Sequence, residues 1–465
     1  MTRKLETLRG WPARGPISLL AVALLLSGCA ALPFGGGGGD DEDEEVEGER
    51  ISIMSLEQKI TADPRYTDLV LELPPSYVNV SWTQPGGEAD HTLHHLQASG
   101  PLDVAWRADI GRGSDRRSRI TAPPIVAEDR VYTLDAAAQV SAFNVEDGDR
   151  LWSTKLEPKE PPRGFLWRRT QPREQGFGGG VAYEDGRIVV TSGFGYVVAL
   201  AAETGETLWR TDFEGPIRTA PTIYRGRVFF TTNDNLLYAL SIEDGAILWD
   251  FQALEETARI LAAPSPAATG DLVVAPFSSG EIVAVLAQNG RAIWSDSLTR
   301  SGRMTALYSL NDIAGRPVID RGRVVAVSHS GSMAAVDVRT GERVWEKNVG
   351  AIQTPWVAGE YIFMVTSDAE LLCLSRRDGS VVWVQELRKY RNTKKKKGLV
   401  AWAGPVLVSG NLILVSSDGE ALTVSPESGE IKGARKLGSG SFVTPVVAKE
   451  TLFVLDDGGK LIALR

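Results

Sequence analysis

Few residues of this chain are of the types that usually carry chemistry. The 465 residues include two cysteines and four histidines, which excludes a disulfide-rich scaffold and a four-thiolate zinc site. His91, His94 and His95 are spaced closely enough to hold a metal ion, but no cysteine or compact set of carboxylates accompanies them. We expect a packed or surface cluster there and a structural role for His329. We therefore predict no metal site.

Three other segments could carry chemistry but favour simpler interpretations. Cys373 stands alone in an apolar strand-like run, which is typical of a small buried side chain. The glycine-rich stretch from Gly176 to Gly180 lacks the following Lys-Ser/Thr and helix that a phosphate-binding loop needs. The run from Lys394 to Lys397 fits a solvated loop tip, or contact with an acidic partner or lipid headgroups. We predict no catalytic residue.

The other cysteine, Cys29, ends a segment that has the features of a secretory leader. The apolar run over residues 17–26 is too short to span a bilayer, and four basic residues flank it: Arg3, Lys4, Arg9 and Arg14. Leu26-Ser27-Gly28-Cys29 resembles the bacterial lipobox, in which the cysteine is acylated. We therefore predict a lipoprotein signal peptide over residues 1–28 and lipidation of Cys29. Because Ala30 is not an aspartate, analogy with lipoprotein sorting favours the periplasmic face of the outer membrane.

Residues 29–75 are predicted to form a tether and an N-terminal extension. Gly35 to Gly39 favour flexibility, and eight of the ten residues from Asp40 to Glu49 are acidic, which extends the chain by repulsion. A cation- or partner-binding acidic arm is the alternative. The net charge of −9 comes mostly from this run, so it says little about what the rest of the chain binds. The acidic balance argues against a nucleic acid partner.

From about residue 100 onward the chain repeats one pattern. Short apolar runs rich in Val, Ile, Leu and aromatic residues alternate with Gly, Asn and Asp turns, which is typical of short β-strands. In each unit the third turn has a glycine followed four residues later by a tryptophan, at intervals of 38 to 57 residues. These glycines are Gly148, Gly205, Gly245, Gly290, Gly341 and Gly379. Gly429 continues the series, but Gly433 stands where the tryptophan is expected.

The ends of the repeat indicate a closed ring. Eight first strands can be located, and the eighth unit stops at Arg465 after its third strand. The segment around Trp106 matches the fourth strand of the second unit, so it can supply the missing strand. Radial repetition of four-stranded sheets forms a β-propeller. We therefore predict an all-β fold over residues 76–465: an eight-bladed β-propeller of four-stranded antiparallel blades, closed by an N-terminal strand.

The repeat resembles the PQQ-like propeller repeat. The second unit carries it as Tyr196-Val-Val-Ala-Leu-Ala-Ala-Glu-Thr204-Gly205-Glu-Thr-Leu-Trp209, and the fifth as Ala335-Val-Asp-Val-Arg-Thr340-Gly341-Glu-Arg-Val-Trp345. The resemblance implies that the tryptophan lies in the outermost strand and docks on the next blade. It gives this role to Trp106, Trp152, Trp209, Trp249, Trp294, Trp345 and Trp383.

Within this superfamily, the lipobox and a single ring without a second domain resemble the BamB family of outer-membrane assembly lipoproteins. The segment from Asn79 to His95 is also similar to the entry region of some members. The resemblance implies a non-enzymatic scaffold of the β-barrel assembly machinery that binds the periplasmic POTRA region of BamA and other subunits. Such a scaffold could also offer strand edges to unfolded outer-membrane proteins.

Two other functions remain open. The first is a PQQ-dependent quinoprotein oxidoreductase, which needs a quinone site, a Ca²⁺ ion held by oxygen ligands and a carboxylate base. Many of these enzymes also carry an adjacent cysteine pair, which this chain lacks, and we expect no cofactor. The second is a generic binding propeller of the cell envelope.

Partner-binding residues are suggested by the resemblance alone. Long connections between units occur at residues 153–178, 295–315 and 385–401, and connections often carry function. The family's gripping arginine lies five residues before the Ala-Pro proline of the fourth blade, where this chain has Arg259. A family carboxylate before the fifth blade is matched by Asp312. The flanking family leucines are replaced by Glu256 and Ala258, which suggests that the contact is shifted. The alternative is that Arg259 is an exposed loop arginine with no role in partner binding.

Overall fold

The computed structural model of this protein describes residues 59–66, 69–158, 178–254, 264–299 and 312–465. Residues from Lys59 onward form one compact unit that ends at Arg465. Within the described ranges, the regular structure is β-strand apart from a short 3-10 helix at Pro64–Tyr66.

The described strands form a ring of eight four-stranded antiparallel blades, as the sequence predicts. Blades 1 and 2 contain β2 (Ile125–Ala127), β3 (Arg130–Leu134), β4 (Gln139–Asn144), β5 (Arg150–Lys155), β6 (Gly179–Glu184), β7 (Arg187–Ser192), β8 (Tyr196–Ala201) and β9 (Thr207–Asp212). Blades 3 and 4 contain β10 (Thr222–Tyr224), β11 (Arg227–Thr231), β12 (Leu236–Ser241), β13 (Ile247–Gln252), β14 (Ala267–Thr269), β15 (Leu272–Pro276), β16 (Glu281–Leu286) and β17 (Ala292–Ser297).

The second half of the ring continues this order. Blades 5 and 6 contain β18 (Val318–Asp320), β19 (Arg323–Val327), β20 (Met333–Asp337), β21 (Arg343–Lys347), β22 (Trp356–Ala358), β23 (Tyr361–Val365), β24 (Glu370–Ser375) and β25 (Val381–Glu386). A hairpin of β26 (Tyr390–Asn392) and β27 (Lys397–Leu399) follows. Blades 7 and 8 contain β28 (Trp402–Val408), β29 (Asn411–Ser416), β30 (Glu420–Val424), β31 (Ile431–Lys436), β32 (Val446–Ala448), β33 (Thr451–Leu455), β34 (Lys460–Leu464) and β1 (Val104–Asp109).

The position of each strand in its blade follows from its residue pattern. The second strands, such as Arg323–Val327, are almost continuously apolar and buried, because neighbouring blades cover both of their faces. The fourth strands alternate, as in Thr207–Asp212, where the exposed residues outnumber the partly buried ones. The first strands therefore line the centre of the ring and the fourth strands its rim.

The eighth blade is built from both ends of the chain. Its fourth strand, β1, pairs antiparallel with β34, and Arg107 lies opposite Ile462. This pairing confirms the predicted closure by an N-terminal strand. It also protects the last C-terminal strand, which would otherwise be an open edge at the rim.

The repeated tryptophans join successive blades. Each donates a hydrogen bond of 2.8 to 3.2 Å from Nε1 to a carbonyl oxygen in the third turn of the next blade. The acceptors, in chain order, are Val145, Ala202, Ile242, Ala287, Val338, Arg376 and Pro426. The turn glycine packs against the ring: a Cβ on Gly205 would lie 2.5 Å from Cε3 of Trp152, and its φ is +75°. In each unit, therefore, the turn glycine receives the tryptophan of the preceding blade, and the tryptophan four residues later docks on the following blade.

The departure at Gly433 has a topological cause. A tryptophan there would dock on the third turn of blade 8, but the third and fourth strands of that blade come from opposite ends of the chain and share no turn. Arg435 joins the two blades instead. Its guanidinium donates to Leu102 O at 2.5 Å and pairs with Asp103 at 2.9 Å.

The ring has two unlike faces. Because adjacent strands are antiparallel, the turns after the first and third strands of each blade lie on one face, which we call the turn face. The turns after the second strands and the connections between blades lie on the other, which we call the connection face.

Candidate functional site

Residues 79–99 make a circuit through the centre of the ring, and we call them the hub segment. Hydrogen bonds of 2.7 to 3.0 Å join this segment to the first strand of every blade in ring order. The pairs, from blade 8 through blades 1 to 7, are Asn79 with Val447, Trp82 with Val126, Thr83 with Tyr183, Gln84 with Ile223, Ala89 with Ala268, Asp90 with Ile319, His94 with Trp356, and Leu96 with Leu407. A bridge between Tyr77 and Leu96 brings the start and end of the circuit together. The hub segment thus satisfies backbone groups that the inner edges would otherwise leave open.

Large apolar side chains anchor the hub segment. Trp82 is 2% exposed and stacks on Trp356, with ring centroids 6.4 Å apart. Leu93 and Leu96 are also buried. Gly87 is required beside them, because a Cβ there would lie 2.2 Å from Cδ1 of Leu93 and its φ is +90°. The centre of the ring is therefore a packed apolar core.

The three clustered histidines point to different partners. His91 Nδ1 donates to Pro317 O at 2.7 Å, and His95 Nδ1 donates to Pro74 O at 2.7 Å. His94 Nε2 lies 3.4 Å from a carboxylate oxygen of Asp320. In the part of the chain that the structure describes, no three His, Cys, Asp or Glu side chains converge as metal ligands would. His91 and His94 thus fasten the hub segment to blade 5, and His95 Nε2 accepts a hydrogen bond from Gly410 N of blade 7 at 2.9 Å. Burial lowers the pKa of His91 to about 3.

A cavity of about 640 Å³ lies between the hub segment and blades 2 to 4, beside the turn face. Its wall includes the carboxylates of Glu88, Asp90, Glu184 and Asp185. Burial, assisted by neighbouring carboxylates, raises the pKa of Glu88, Asp90 and Glu184. Arg225, also in the wall, pairs with Asp271 at 3.1 Å. The recess is therefore electronegative.

The structure locates one of the two predicted partner-binding residues. Asp312 lies in the connection before blade 5 and is 5% exposed; its carbonyl oxygen accepts a hydrogen bond from His329 N at 2.9 Å. Arg259, like most of the connections at 153–178 and 295–315, lies outside the described residues. A shared site for Arg259 and Asp312 therefore stays a prediction, and the low exposure limits how much of Asp312 a partner could contact directly.

The connection at 385–401 forms a hairpin that the sequence pattern did not predict. Tyr390 pairs with Leu399 and Asn392 with Lys397, and the turn between them holds the other three lysines of the run. The hairpin stands between blades 6 and 7 on the connection face. Its strands lack the alternating apolar residues that identify the blade strands.

The two cysteines have separate environments. Cys373 is fully buried in β24 opposite Trp383, and burial raises the pKa of its thiol well above the usual value. Cys29, the signal peptide and the acidic tether lie outside the described residues. No helix in the described part of the chain is long and apolar enough to cross a membrane.

These features define a single-ring β-propeller of PQQ-like repeats whose centre is filled by its own N-terminal segment. A family model described as outer membrane protein assembly factor BamB matches residues 89–166 and 160–385. This chain belongs to that family. BamB from Escherichia coli is 27% identical over 363 residues, which is 78% of this chain and 88% of the relative.

Solved structures agree with the fold. BamB from Moraxella catarrhalis superposes with a TM-score of 0.64 at 19% identity, covering 76% of this chain and 99% of that structure. A europium-containing methanol dehydrogenase superposes with a TM-score of 0.62 at 14% identity, covering 80% of this chain and 89% of the other. The same ring therefore occurs in assembly factors and in enzymes, and the family match assigns this chain to the outer-membrane assembly factors.

Proposed function

We propose that this protein is a non-enzymatic scaffold of the outer-membrane β-barrel assembly machinery and that it binds the POTRA region of BamA. The observation that carries the proposal is the hub segment. It bonds to the first strands of all eight blades and occupies the centre, where propellers commonly hold a ligand cavity or channel. The two faces of the ring then remain as surfaces for a protein partner, and the position of Arg259 and Asp312 in connections between blades favours the connection face.

The proposal includes a lipid anchor. Acylation of Cys29 would hold the ring at the periplasmic face of the outer membrane, and residues 29–75 would serve as the tether and N-terminal extension. More than one acyl chain gives stable anchoring, whereas a single chain binds membranes only marginally.

BamA would contact the connection face near blades 3 to 5. The connection before blade 4 contains Arg259, and the connection before blade 5 contains Asp312. An arginine can make paired hydrogen bonds to a carboxylate, which makes it a common anchor at protein interfaces. Other subunits of the machinery would join through the same complex.

A crosslinked pulldown from native envelopes tests this proposal. We expect BamA to be recovered with the native chain and a severalfold lower recovery with Arg259→Glu. Arg339→Glu, which makes the same charge change on the turn face, is the matched control and should recover BamA normally. Loss of BamA from the native pulldown would refute the scaffold role. Equal recovery with Arg259→Glu would refute only the assigned contact.

Client strands could bind at the rim. In β13 the side chains of Ile247 and Leu248 are 48% and 46% exposed, and the outer edge of a fourth strand has unpaired backbone groups. An extended segment of an unfolded outer-membrane protein could add to such an edge. Photocrosslinking from position 248 to a translocated client tests this part separately from BamA binding.

The likeness to a methanol dehydrogenase supports a second candidate, a PQQ-dependent oxidoreductase. Such a protein should bind PQQ with Ca²⁺, show the absorption of the quinone and reduce an artificial electron acceptor with an alcohol substrate. We expect none of these with the purified chain. If neither BamA nor PQQ is bound, the remaining alternative is a generic binding propeller of the cell envelope.

A further inference from the structure

The hairpin of β26 and β27 presents a concentrated positive charge. Residues 391–399 are all exposed, and Lys394, Lys395, Lys396 and Lys397 follow one another at its tip. In the described part of the chain, no ion pair involves any of these four lysines. The tip therefore keeps its full charge.

The root of the hairpin is different, because its basic residues are paired. Arg388 contacts Asp418 at 2.9 Å and Glu420 at 2.8 Å, and Arg391 contacts Asp418 at 3.1 Å. Lys389 contacts Asp368 at 2.8 Å. These pairs fasten the root to the turns of blades 6 and 7. The tip lysines are thus carried on a braced hairpin and are presented together.

The charge also differs between the two faces of the ring. Two further basic residues of the connection face, Arg116 and Arg117, are exposed between β1 and blade 1. The turns of the opposite face repeatedly carry exposed acids, as at Glu128, Asp147, Asp185, Asp244, Glu342 and Glu427. An anionic surface would therefore attract the connection face around the hairpin and repel the turn face.

The amino-acid composition of the hairpin tip favours a lipid partner over a protein partner. Protein interfaces are enriched in Arg, Tyr and Trp and depleted in Lys, and the tip offers only lysines. Clusters of basic residues at exposed sites are typical of contact with anionic lipid headgroups. Lysine is a compact, strongly hydrated charge, which suits phosphate groups that need no fixed geometry.

We propose that the tip of this hairpin docks on an anionic phospholipid surface. The contact directs the connection face toward the membrane and the acidic turn face away from it. The hairpin follows blade 6, whereas the proposed BamA contact lies near blades 3 to 5, so both can be engaged at once. This proposal does not require BamA binding or acylation of Cys29.

Cosedimentation with vesicles tests the proposal. The mature chain from residue 29 onward, carrying Cys29→Ser so that it cannot be acylated, is mixed with vesicles of phosphatidylcholine alone or with added phosphatidylglycerol. We expect binding that needs phosphatidylglycerol and falls as salt rises. Each lysine near an anionic surface contributes roughly fivefold in affinity. Lys394→Gln together with Lys395→Gln should therefore weaken binding about 30-fold.

The matched control removes two charges from the turn face. Arg291→Gln together with Arg339→Gln should leave vesicle binding within about twofold, because charges on the far side of the ring are screened. Circular dichroism should show the same fold for the tip variant and the control variant, since the side chains of Lys394, Lys395, Arg291 and Arg339 are all exposed.

Two outcomes would overturn the proposal. One is equal binding by the tip variant and the control variant, and the other is binding that does not depend on phosphatidylglycerol. If the tip variant binds vesicles normally but crosslinks less to BamA, the occupant is an acidic protein surface instead. Since the vesicles contain no protein, failure here leaves the scaffold role untouched.

Discussion

Trp82 allows a sharp test of the hub segment as part of the folded core. Its side chain is 2% exposed and stacks on Trp356, and among the described residues its Nε1 has no hydrogen-bond partner. Trp82→Ala removes nearly the whole buried ring, and changes of this kind cost about 3–5 kcal/mol of unfolding free energy. We expect the whole of this loss in stability, because the packed centre of the ring cannot collapse to fill the space that the indole leaves.

Trp82→Phe separates packing from the unpartnered N–H group. The smaller ring gives up about 1 kcal/mol of apolar burial. Removing a buried donor that has no partner returns about 1–3 kcal/mol of desolvation cost. We therefore expect the phenylalanine variant to be as stable as the native protein or up to about 2 kcal/mol more stable.

Urea unfolding followed by far-ultraviolet circular dichroism measures both variants. The midpoint should fall for Trp82→Ala with little change in slope, and the near-ultraviolet signal of the stacked indoles should disappear in both variants. Equal destabilisation by Ala and Phe would show that the indole N–H matters. A loss below about 1 kcal/mol for Ala would show that the hub segment is not part of the cooperative unit.

Two further predictions concern the blade joints and pH. Gly205→Ala should lower the melting temperature, because its Cβ would lie 2.5 Å from Trp152 at a φ of +75°; Gly433→Ala, where a Cβ meets nothing within 4 Å, should lower it little, and equal effects would contradict the docking account. Burial lowers the pKa of His91 in the folded protein to about 3, from an ordinary value of 6.5. Its contribution to stability is therefore present above pH 6.5 and is lost as the pH falls toward 3. Between pH 7 and 5 the native protein should therefore lose about 2 kcal/mol more than His91→Gln, whereas parallel pH profiles would contradict a buried neutral His91.

The sequence predicted the ring because its joints repeat in the chain. Each unit contributes a turn glycine to the contact with the preceding blade and, four residues later, a tryptophan to the contact with the next blade. This fixed spacing can be read from the sequence without knowing the fold. The exception at Gly433 could be noted but not explained until blade 8 was seen to lack the turn on which a tryptophan docks. The segment around Trp106 matches the fourth strand of the second unit, and this match also predicted how the ring closes.

The hub segment and the lysine hairpin could not be predicted in the same way. A segment that contacts a different blade every one to five residues has no helical or strand period, and its partners exist only after the ring closes. Gly86 and Gly87 were the available signal, since adjacent glycines at positive φ mark a close approach. The position of Asp312 came from a family resemblance, which specifies a place in the chain but not the burial of the side chain.

The circuit of the hub segment also sets the order in which this protein can fold. Asn79 bonds to Val447 across 368 residues, so the hub segment finds its last partner only when the final blade exists. Contacts of such long range slow folding, because loop closure must precede any gain from them. Until then the circuit is incomplete, and inner edges that the hub segment has not yet covered stay prone to association. This member of a family of outer-membrane assembly factors would thus itself need protection until its last blade is in place.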